Sequence, residues 1–158
     1  MSALFTVLYE WPRAVAGYFT WLPPLVARIV VGWIFLWSGW GKFMVMPQMI
    51  ENFRGWGIPY PEILTPFVSS VEFLGGILLL VGLLTRISAV PLMIVMVVAT
   101  ISAKGADIDS LEALLGFEEA AYFSMFLWLA VAGPGPVSID HFVQPKGRRD
   151  RTVVPLGG

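Results

Sequence analysis

A carboxylate deep inside an apolar stretch is the first feature of this sequence that could carry chemistry. Glu72 lies nine residues into the apolar stretch 63–84. If that stretch spans a membrane, the helical rise places Glu72 about 13 Å from the nearer surface. A charge at such depth costs about 2.5–3.5 kcal/mol on insertion scales, so it needs a partner or a function. Lys42, Glu118 and Glu119 lie in other apolar stretches, and a Lys42 pair with Glu72 or with Glu119 is predicted.

Two interpretations of these polar groups stay open. The structural one is a charge network that fixes which helices pack together, without chemistry. The functional one is a polar pocket that binds a head group, such as a quinone ring, and moves a proton through Glu72.

The residue inventory excludes several kinds of redox and metal chemistry. The chain has no cysteine and a single histidine, His141. Disulfides, iron–sulfur clusters, thiolate zinc sites and a haem held by two histidines of this chain are therefore excluded, and no metal site is predicted. A net charge of −1 gives no basic field for nucleic acid. We predict no covalently bound cofactor, so any electron must sit on a bound molecule or on a partner.

Composition places these groups in a membrane protein. The chain has 158 residues, of which 13% are charged and 57% hydrophobic, whereas soluble domains have about 25% charged residues. A small soluble domain needs many polar side chains to cover its surface, and this chain has too few. The stretches that come close to the roughly 20 residues of a spanning helix are 25–46, 63–84, 87–103 and 111–132.

The connections between these stretches predict an all-α, up-and-down four-helix bundle. The second and third stretches are joined by Thr85 and Arg86 alone, which makes them antiparallel neighbours. The connection between the first two stretches contains a short amphipathic helix at 48–54. The fourth stretch reaches spanning length only if it includes Glu118 and Glu119.

The chain divides into three segments. Residues 1–24 form an aromatic-rich segment at the membrane surface, residues 25–142 form the membrane domain, and residues 143–158 form a basic tail. Seven lysines and arginines fall on one side of the predicted bundle and three on the other. An excess of such residues marks the cytoplasmic side, so both termini are predicted to be cytoplasmic.

Glycines follow the same helix faces as the charges. In the first stretch, Gly32 and Gly39 share a stripe with Arg28 and Lys42 at helical spacing. Glycines follow Glu72 in the second stretch in the same way. Small residues let helices approach closely in lipid, so the charges are predicted to face the interior of the bundle.

Four motifs are distributed over residues 25–142, which make up most of the chain. They are Arg28-x3-Gly32-x2-Phe35-Leu36-x-Ser38-Gly39-x2-Lys42; Gly57-Ile58-Pro59; Val71-Glu72-Phe73-Leu74-Gly75-Gly76 with Leu80-x-Gly82-Leu83-Leu84-Thr85-Arg86; and Gly133-Pro134-Gly135-Pro136-Val137-Ser138-Ile139-Asp140. In this combination the sequence resembles the DoxX family of small prokaryotic membrane proteins, related to the DoxD-type subunit of thiosulfate:quinone oxidoreductase. The resemblance implies a four-helix bundle in the cytoplasmic membrane and association with membrane oxidoreductase systems. The positions that it marks are Arg28, Lys42, Glu72, Arg86 and Asp140.

We therefore predict an integral membrane subunit of a redox complex, quinone-linked, with a polar pocket in the outer half of the bilayer. Membrane lipid and a redox enzyme are its predicted partners, and quinone or lipid its predicted ligand. One alternative is a non-catalytic accessory or assembly subunit that docks a larger complex, and a second is a small-molecule carrier. The candidate residues of the pocket or polar network are Arg28, Lys42, Glu72, Arg86, Glu118, Glu119 and Asp140.

Overall fold

Helices make up every regular element in the part of the chain that the structure describes. The computed structural model describes residue 8 and residues 10–143. The helices are α1 (Trp11–Tyr18), α2 (Leu22–Met44), α3 (Met46–Gly55), α4 (Pro61–Val81), α5 (Thr85–Lys104), α6 (Leu111–Gly116), α7 (Glu118–Ala132) and α8 (Ile139–Val143), with a 3-10 turn at Gly105–Asp107. The all-α prediction is confirmed for these residues.

Three of the described helices are long and apolar enough to cross a membrane. They are α2, α4 and α5, the last extended by its 3-10 turn to Asp107, and they confirm the first three predicted spans. Prolines occupy the first turns of α2 and α4, where a missing backbone N–H costs no hydrogen bond. The left-handed backbone of Gly82 ends α4, which is the usual role of glycine at a helix C-terminus.

The fourth predicted span is wrong as one continuous helix. Phe117 has an extended backbone and divides residues 111–132 into α6, with 6 residues, and α7, with 15. A helix of 15 residues is about 22 Å long, which is shorter than the roughly 30 Å hydrocarbon core. Ser110 accepts a hydrogen bond from the Ala113 backbone nitrogen and starts α6. The acidic pair Glu118 and Glu119 opens α7, where the helix dipole favours negative charge.

Close approach of α2 and α4 forms the first half of the bundle. A Cβ atom on Gly39 would lie 2.5 Å from the backbone nitrogen of Phe73, and one on Gly76 would meet the backbone of Leu36. Larger residues at these glycines would push the helices apart. This close approach agrees with the role in helix packing that the sequence predicts for the glycine stripe.

The second half of the bundle pairs α5 with α7. Phe35 of α2 joins the two halves through edge-on contacts with Phe126 at 4.9 Å and Tyr122 at 5.5 Å. The buried apolar core consists of Ala27, Val31, Phe35, Leu79, Ala89, Leu92, Met96, Phe126 and Leu129. Large apolar side chains such as Trp33, Ile94 and Val131 point outward, as expected for helices that contact lipid.

The remaining predicted segments are partly described. Helix α1 falls within the predicted surface segment 1–24, and α3 covers the predicted amphipathic helix at 48–54, with Phe53 buried against the bundle. Of the basic tail 143–158, residues 144–158 lie outside the described residues, as do most of residues 1–9.

Candidate ligand cavity and the two ends of the bundle

Glu72 is fully enclosed and is bound by two side chains of the neighbouring helix. Only 2% of its surface is exposed. The Ser38 hydroxyl donates to Glu72 Oε2 at 2.9 Å, and Lys42 Nζ donates to both carboxylate oxygens. Ser38 and Lys42 are four residues apart and lie on one face of α2. The close contact between α2 and α4 at Gly39 brings Ser38 and Lys42 near enough to hydrogen-bond with Glu72. The lysine pairs with Glu72 and not with Glu119.

Glu119 has a different cationic partner, which the sequence reasoning did not include among the site residues. Lys104 Nζ donates to Glu119 Oε2 at 2.7 Å and also lies 5.0 Å from the centre of the Phe117 ring. Lys104 ends α5 and Glu119 begins α7, so the pair joins two antiparallel helices at one end of the bundle. Glu118 Oε2 lies 3.5 Å from the Tyr122 hydroxyl, one turn along α7. The sequence feature that could have identified Lys104 as a site residue is its place at the end of the third predicted span, on the same side of the bundle as Lys42.

These ion pairs border a cavity of about 570 Å³. Helices α4 and α5 touch where Leu92 packs against Gly75, and the cavity opens beyond that contact, towards the end that carries Lys42. Its polar lining residues are Lys42, Glu72, Lys104, Glu118 and Glu119, and its apolar lining comes from α3, α4 and α5.

The exposure of lining residues on α4 and α5 indicates that the cavity opens between these two helices. Phe67 of α4 and Ile94 and Val98 of α5 line the cavity and are also exposed on the outer surface of the bundle. Phe53 and Trp56, in and just after α3, cover the cavity from one side. A molecule dissolved in the lipid would therefore reach the Lys42–Glu72 pair along an apolar path, without crossing the aqueous phase.

A smaller cavity of about 220 Å³ borders the same ion pair. Aromatic and thioether side chains of α2, α5 and α7 line it, among them Phe35, Met96 and Tyr122. The two cavities share the lining residues Lys42, Glu72, Ala99, Glu118 and Glu119. The Lys42–Glu72 pair thus lines both cavities.

The opposite end of the bundle holds its buried charge by different means. Arg28 is 2% exposed. Its guanidinium donates to the carbonyl oxygens of Leu79 at 3.0 Å, Pro134 at 2.7 Å and Val137 at 2.7 Å. These bonds join the first turns of α2 to the C-terminus of α4 and to the loop after α7. Arg28 therefore points into the bundle and does not extend towards the membrane surface.

Arg86 and Asp140 complete this end of the bundle. Arg86 donates to the carbonyl oxygens of Val131 at 2.7 Å and of Ala132 at 3.3 Å, which satisfies the C-terminus of α7. Asp140 accepts hydrogen bonds from the backbone nitrogens of Leu84 at 2.7 Å and Thr85 at 2.9 Å. An aspartate of the short helix α8, distant in sequence, thus caps the N-terminus of α5.

The seven predicted site residues therefore form two groups instead of one network. We call the first group, together with Lys104, the lysine end; it consists of Lys42, Glu72, Lys104, Glu118 and Glu119. We call the second group the arginine end; it consists of Arg28, Arg86 and Asp140. Within residues 10–143 no group of histidine, aspartate and glutamate side chains has the arrangement of a metal site. The lysine end joins a polar wall to a large apolar volume, an arrangement suited to an amphiphilic ligand.

Comparison with known proteins assigns the chain to a family and finds named relatives. The family model DoxX matches residues 24–105. "Inner membrane protein YqjF" of Escherichia coli (strain K12) is 30% identical over 122 residues, which cover 77% of this chain and 92% of the relative. "Uncharacterized membrane protein Rv3486" of Mycobacterium tuberculosis (strain ATCC 25618 / H37Rv) is 34% identical over 144 residues, which cover 83% and 86%.

A third relative carries a functional name. "Putative oxidoreductase CatD" of Bacillus subtilis (strain 168) is 30% identical over 132 residues, which cover 82% of this chain and 92% of the relative. No solved structure matches the chain.

Proposed function

The chain belongs to the DoxX family of membrane proteins, and from that premise we propose that it is a membrane subunit that binds a lipid-soluble redox molecule of the quinone type. The observation that carries this proposal is the cavity of about 570 Å³ that opens sideways and ends at the Lys42–Glu72 pair. The subunit would hold its ligand for an oxidoreductase in the same membrane.

Size and lining both suit such a ligand. Pockets for small molecules and cofactors occupy about 300–1,000 Å³ and combine apolar walls with few polar groups. The apolar side chains of α4 and α5, such as Val68 and Val95, would contact the ring and the first part of an isoprenoid tail. The polar head of the ligand would face the enclosed Glu72 and the half-buried Lys42.

The redox part of the proposal has separate support. The B. subtilis relative is named as an oxidoreductase. This chain has no cysteine, so its own side chains offer no thiol that could carry electrons. Electrons would therefore pass between the bound molecule and a partner enzyme, and the chain would act as a binding subunit.

The topology that we propose has four crossings, with both termini in the cytoplasm of a prokaryotic cell. Helix α7 would form the short fourth crossing, with α6 bent away at Phe117 to lie at the surface beside the amphipathic α3. Because the chain has no cysteine, single cysteines can report its orientation. A membrane-impermeant thiol reagent added to intact cells should label Ala106→Cys and leave Ser2→Cys unlabelled. The reverse pattern would contradict this orientation.

Ligand binding is tested by blocking the side opening. Val98→Trp places a large ring at the opening, and Val97→Trp is the control, because Val97 is adjacent, is 42% exposed against 44% for Val98, and does not line the cavity. Each protein is purified in mild detergent, and the lipids that remain bound are identified by mass spectrometry. A quinone should co-purify with the native chain and the Val97 variant and be lost from the Val98 variant. Native protein without any quinone would refute the proposal.

A surface on α2 favours an accessory role as a second candidate function. Trp33 and Trp37 lie outward near the middle of the helix, in edge-on contact at 5.7 Å. Tryptophan in membrane proteins is enriched at the two interfaces and not at the centre. A partner helix would account for this central pair. If so, Trp33→Leu combined with Trp37→Leu should release a membrane protein that co-purifies with the native chain, while the quinone content stays the same.

A further inference from the structure

The charges around the large cavity do not balance. Two ammonium groups, of Lys42 and Lys104, and three carboxylates, of Glu72, Glu118 and Glu119, line it. Lys42 is paired with Glu72, and Lys104 with Glu119. Among the described residues, Glu118 has no cationic partner. The site therefore has more hydrogen-bond acceptors than donors that are free to meet a ligand.

Glu118 is placed to act on a ligand. It lines both cavities and lies in the first turn of α7, where the helix dipole favours a negative charge. Its contact with the Tyr122 hydroxyl, at 3.5 Å, is at the outer limit of a hydrogen bond. Glu118 is an exposed residue, and both oxygens of its carboxylate are able to accept a hydrogen bond from a molecule in the cavity.

This imbalance discriminates between possible head groups. A carboxylate or phosphate head would meet a net negative charge, and desolvating it there would be unfavourable. A quinone presents only acceptors, and it would compete with Glu72 and Glu119 for the two lysines. A hydroxyl on an aromatic ring donates a hydrogen bond, and a bond to a charged acceptor is stronger than one between neutral groups.

We propose that the cavity selects a ligand with an apolar tail and a neutral, hydrogen-bond-donating head, a phenol or a quinol, and that Glu118 accepts the hydrogen bond. This inference rests on the proposed function, that the cavity holds a lipid-soluble molecule, and adds which redox and charge form it prefers. The selective residue is Glu118, which lies outside the Lys42–Glu72 pair.

The test compares ligands that have alkyl tails of similar length and differ in the head. Decylubiquinol, decylubiquinone and dodecanoate are titrated into the full-length protein in detergent, under nitrogen, by isothermal titration calorimetry. The quinol should bind about tenfold more tightly than the quinone, which is the worth of one hydrogen bond to a charged group, and dodecanoate should bind most weakly. Glu118→Leu should remove the quinol preference and leave quinone affinity unchanged. Glu112→Leu, at an exposed carboxylate of α6 that does not line the cavity, should keep it.

The possible failures are distinguishable. Equal or tighter binding of the quinone, or tightest binding of dodecanoate, overturns the selectivity and leaves the proposed cavity function standing. Loss of the preference in the Glu112 variant as well overturns the role of Glu118. If none of the three molecules binds, both the inference and the proposed function fail. The ratio of quinol to quinone affinity in the native protein tests the selectivity even if the Glu118 variant does not fold.

Discussion

The two ends of this bundle both bury charged side chains, yet they satisfy them differently. At the arginine end, Arg28 and Arg86 donate to backbone carbonyls and Asp140 accepts from backbone amides. At the lysine end, Lys42, Glu72, Lys104 and Glu119 bond to other side chains, and two cavities lie beside them.

This difference separates a structural use of charge from a binding use. Backbone partners are fixed by the fold, so bonds to them join helix ends and leave no group for a ligand. Side-chain partners can exchange one acceptor for another when a ligand enters, and the adjoining volume gives it room. We therefore expect changes at the arginine end to affect stability most, and changes at the lysine end to affect ligand content most.

The largest effect should come from removing the guanidinium of Arg28. Arg28→Met leaves the carbonyls of Pro134 and Val137 without their donor inside the bundle and removes one of two hydrogen bonds to the Leu79 carbonyl, which keeps the backbone N–H of Gly82. Unsatisfied buried groups cost about 1–3 kcal/mol each, so we expect a loss of about 4 kcal/mol in the free energy of unfolding, measured by SDS titration in mixed micelles.

Arg54→Met is the matched control for this variant. Arg54 lies in the α3 helix, where hydrogen bonds to Glu51 and Glu62 and their negative charges raise the pKa of its guanidinium. Exposed ion pairs contribute little to stability, so the control should unfold like the native protein. Equal loss in both variants would break the distinction between enclosed and surface arginines.

The next largest effect should come from the glycine that lets the lysine end form. Gly39→Ala puts a Cβ atom 2.5 Å from the Phe73 backbone nitrogen, and overpacking of this kind costs about 1–3 kcal/mol. Gly41→Ala, in the same helix with open space around it, should be neutral or slightly stabilising because alanine favours helix. Thermal unfolding in detergent measures both. A stable Gly39 variant would show that the α2–α4 contact tolerates separation.

The sequence predicted the lysine end better than the arginine end, and the reason is physical. The position of a residue within an apolar stretch, the helical spacing and the glycine stripes are all visible in the sequence. Together they predict that Glu72 and Lys42 lie on facing helices. The partners of Arg28 are backbone carbonyls of a loop, including Pro134 and Val137. A backbone carbonyl has no residue type, so no sequence pattern identifies it as a partner.

Two other features could not be predicted from the sequence pattern. The break at Phe117 interrupts an apolar stretch without a proline, and its local signals are a single glycine, Gly116, before it and the acidic pair after it. The cavity depends on how far α4 and α5 diverge beyond the Gly75–Leu92 contact. That divergence is a property of packing in three dimensions, which the one-dimensional pattern of apolar residues does not contain.

A smaller effect on stability, with a larger effect on ligand content, is expected for Glu72→Gln. The amide keeps the shape and the Ser38 contact but loses the charge that holds Lys42. Because Lys42 keeps 21% of its side chain exposed, the lysine can find other partners, and we expect a loss of about 2 kcal/mol, less than the full cost of breaking an enclosed pair.

Retained quinone, measured by mass spectrometry of the purified protein, should fall severalfold in this variant. Glu62→Gln, a carboxylate of the same helix that pairs with the exposed Arg54, should retain the native amount. If Glu72→Gln loses as much stability as Arg28→Met and no ligand, the lysine end is a structural charge pair like its counterpart.

The smallest effect should come from Asp140→Asn, which is also the sharpest check on the comparison. Asp140 caps α5 through two backbone amides, and asparagine has one acceptor oxygen where aspartate has two. Loss of a helix cap costs about 1 kcal/mol, and Asp109→Asn in the exposed loop before α6 should cost nothing. Because Asp140 lies at the end away from the cavity, its variant should keep the native quinone content despite the lower stability. A fall in quinone content that matched Glu72→Gln would mean that ligand retention follows global stability, and the two ends would then not differ in function.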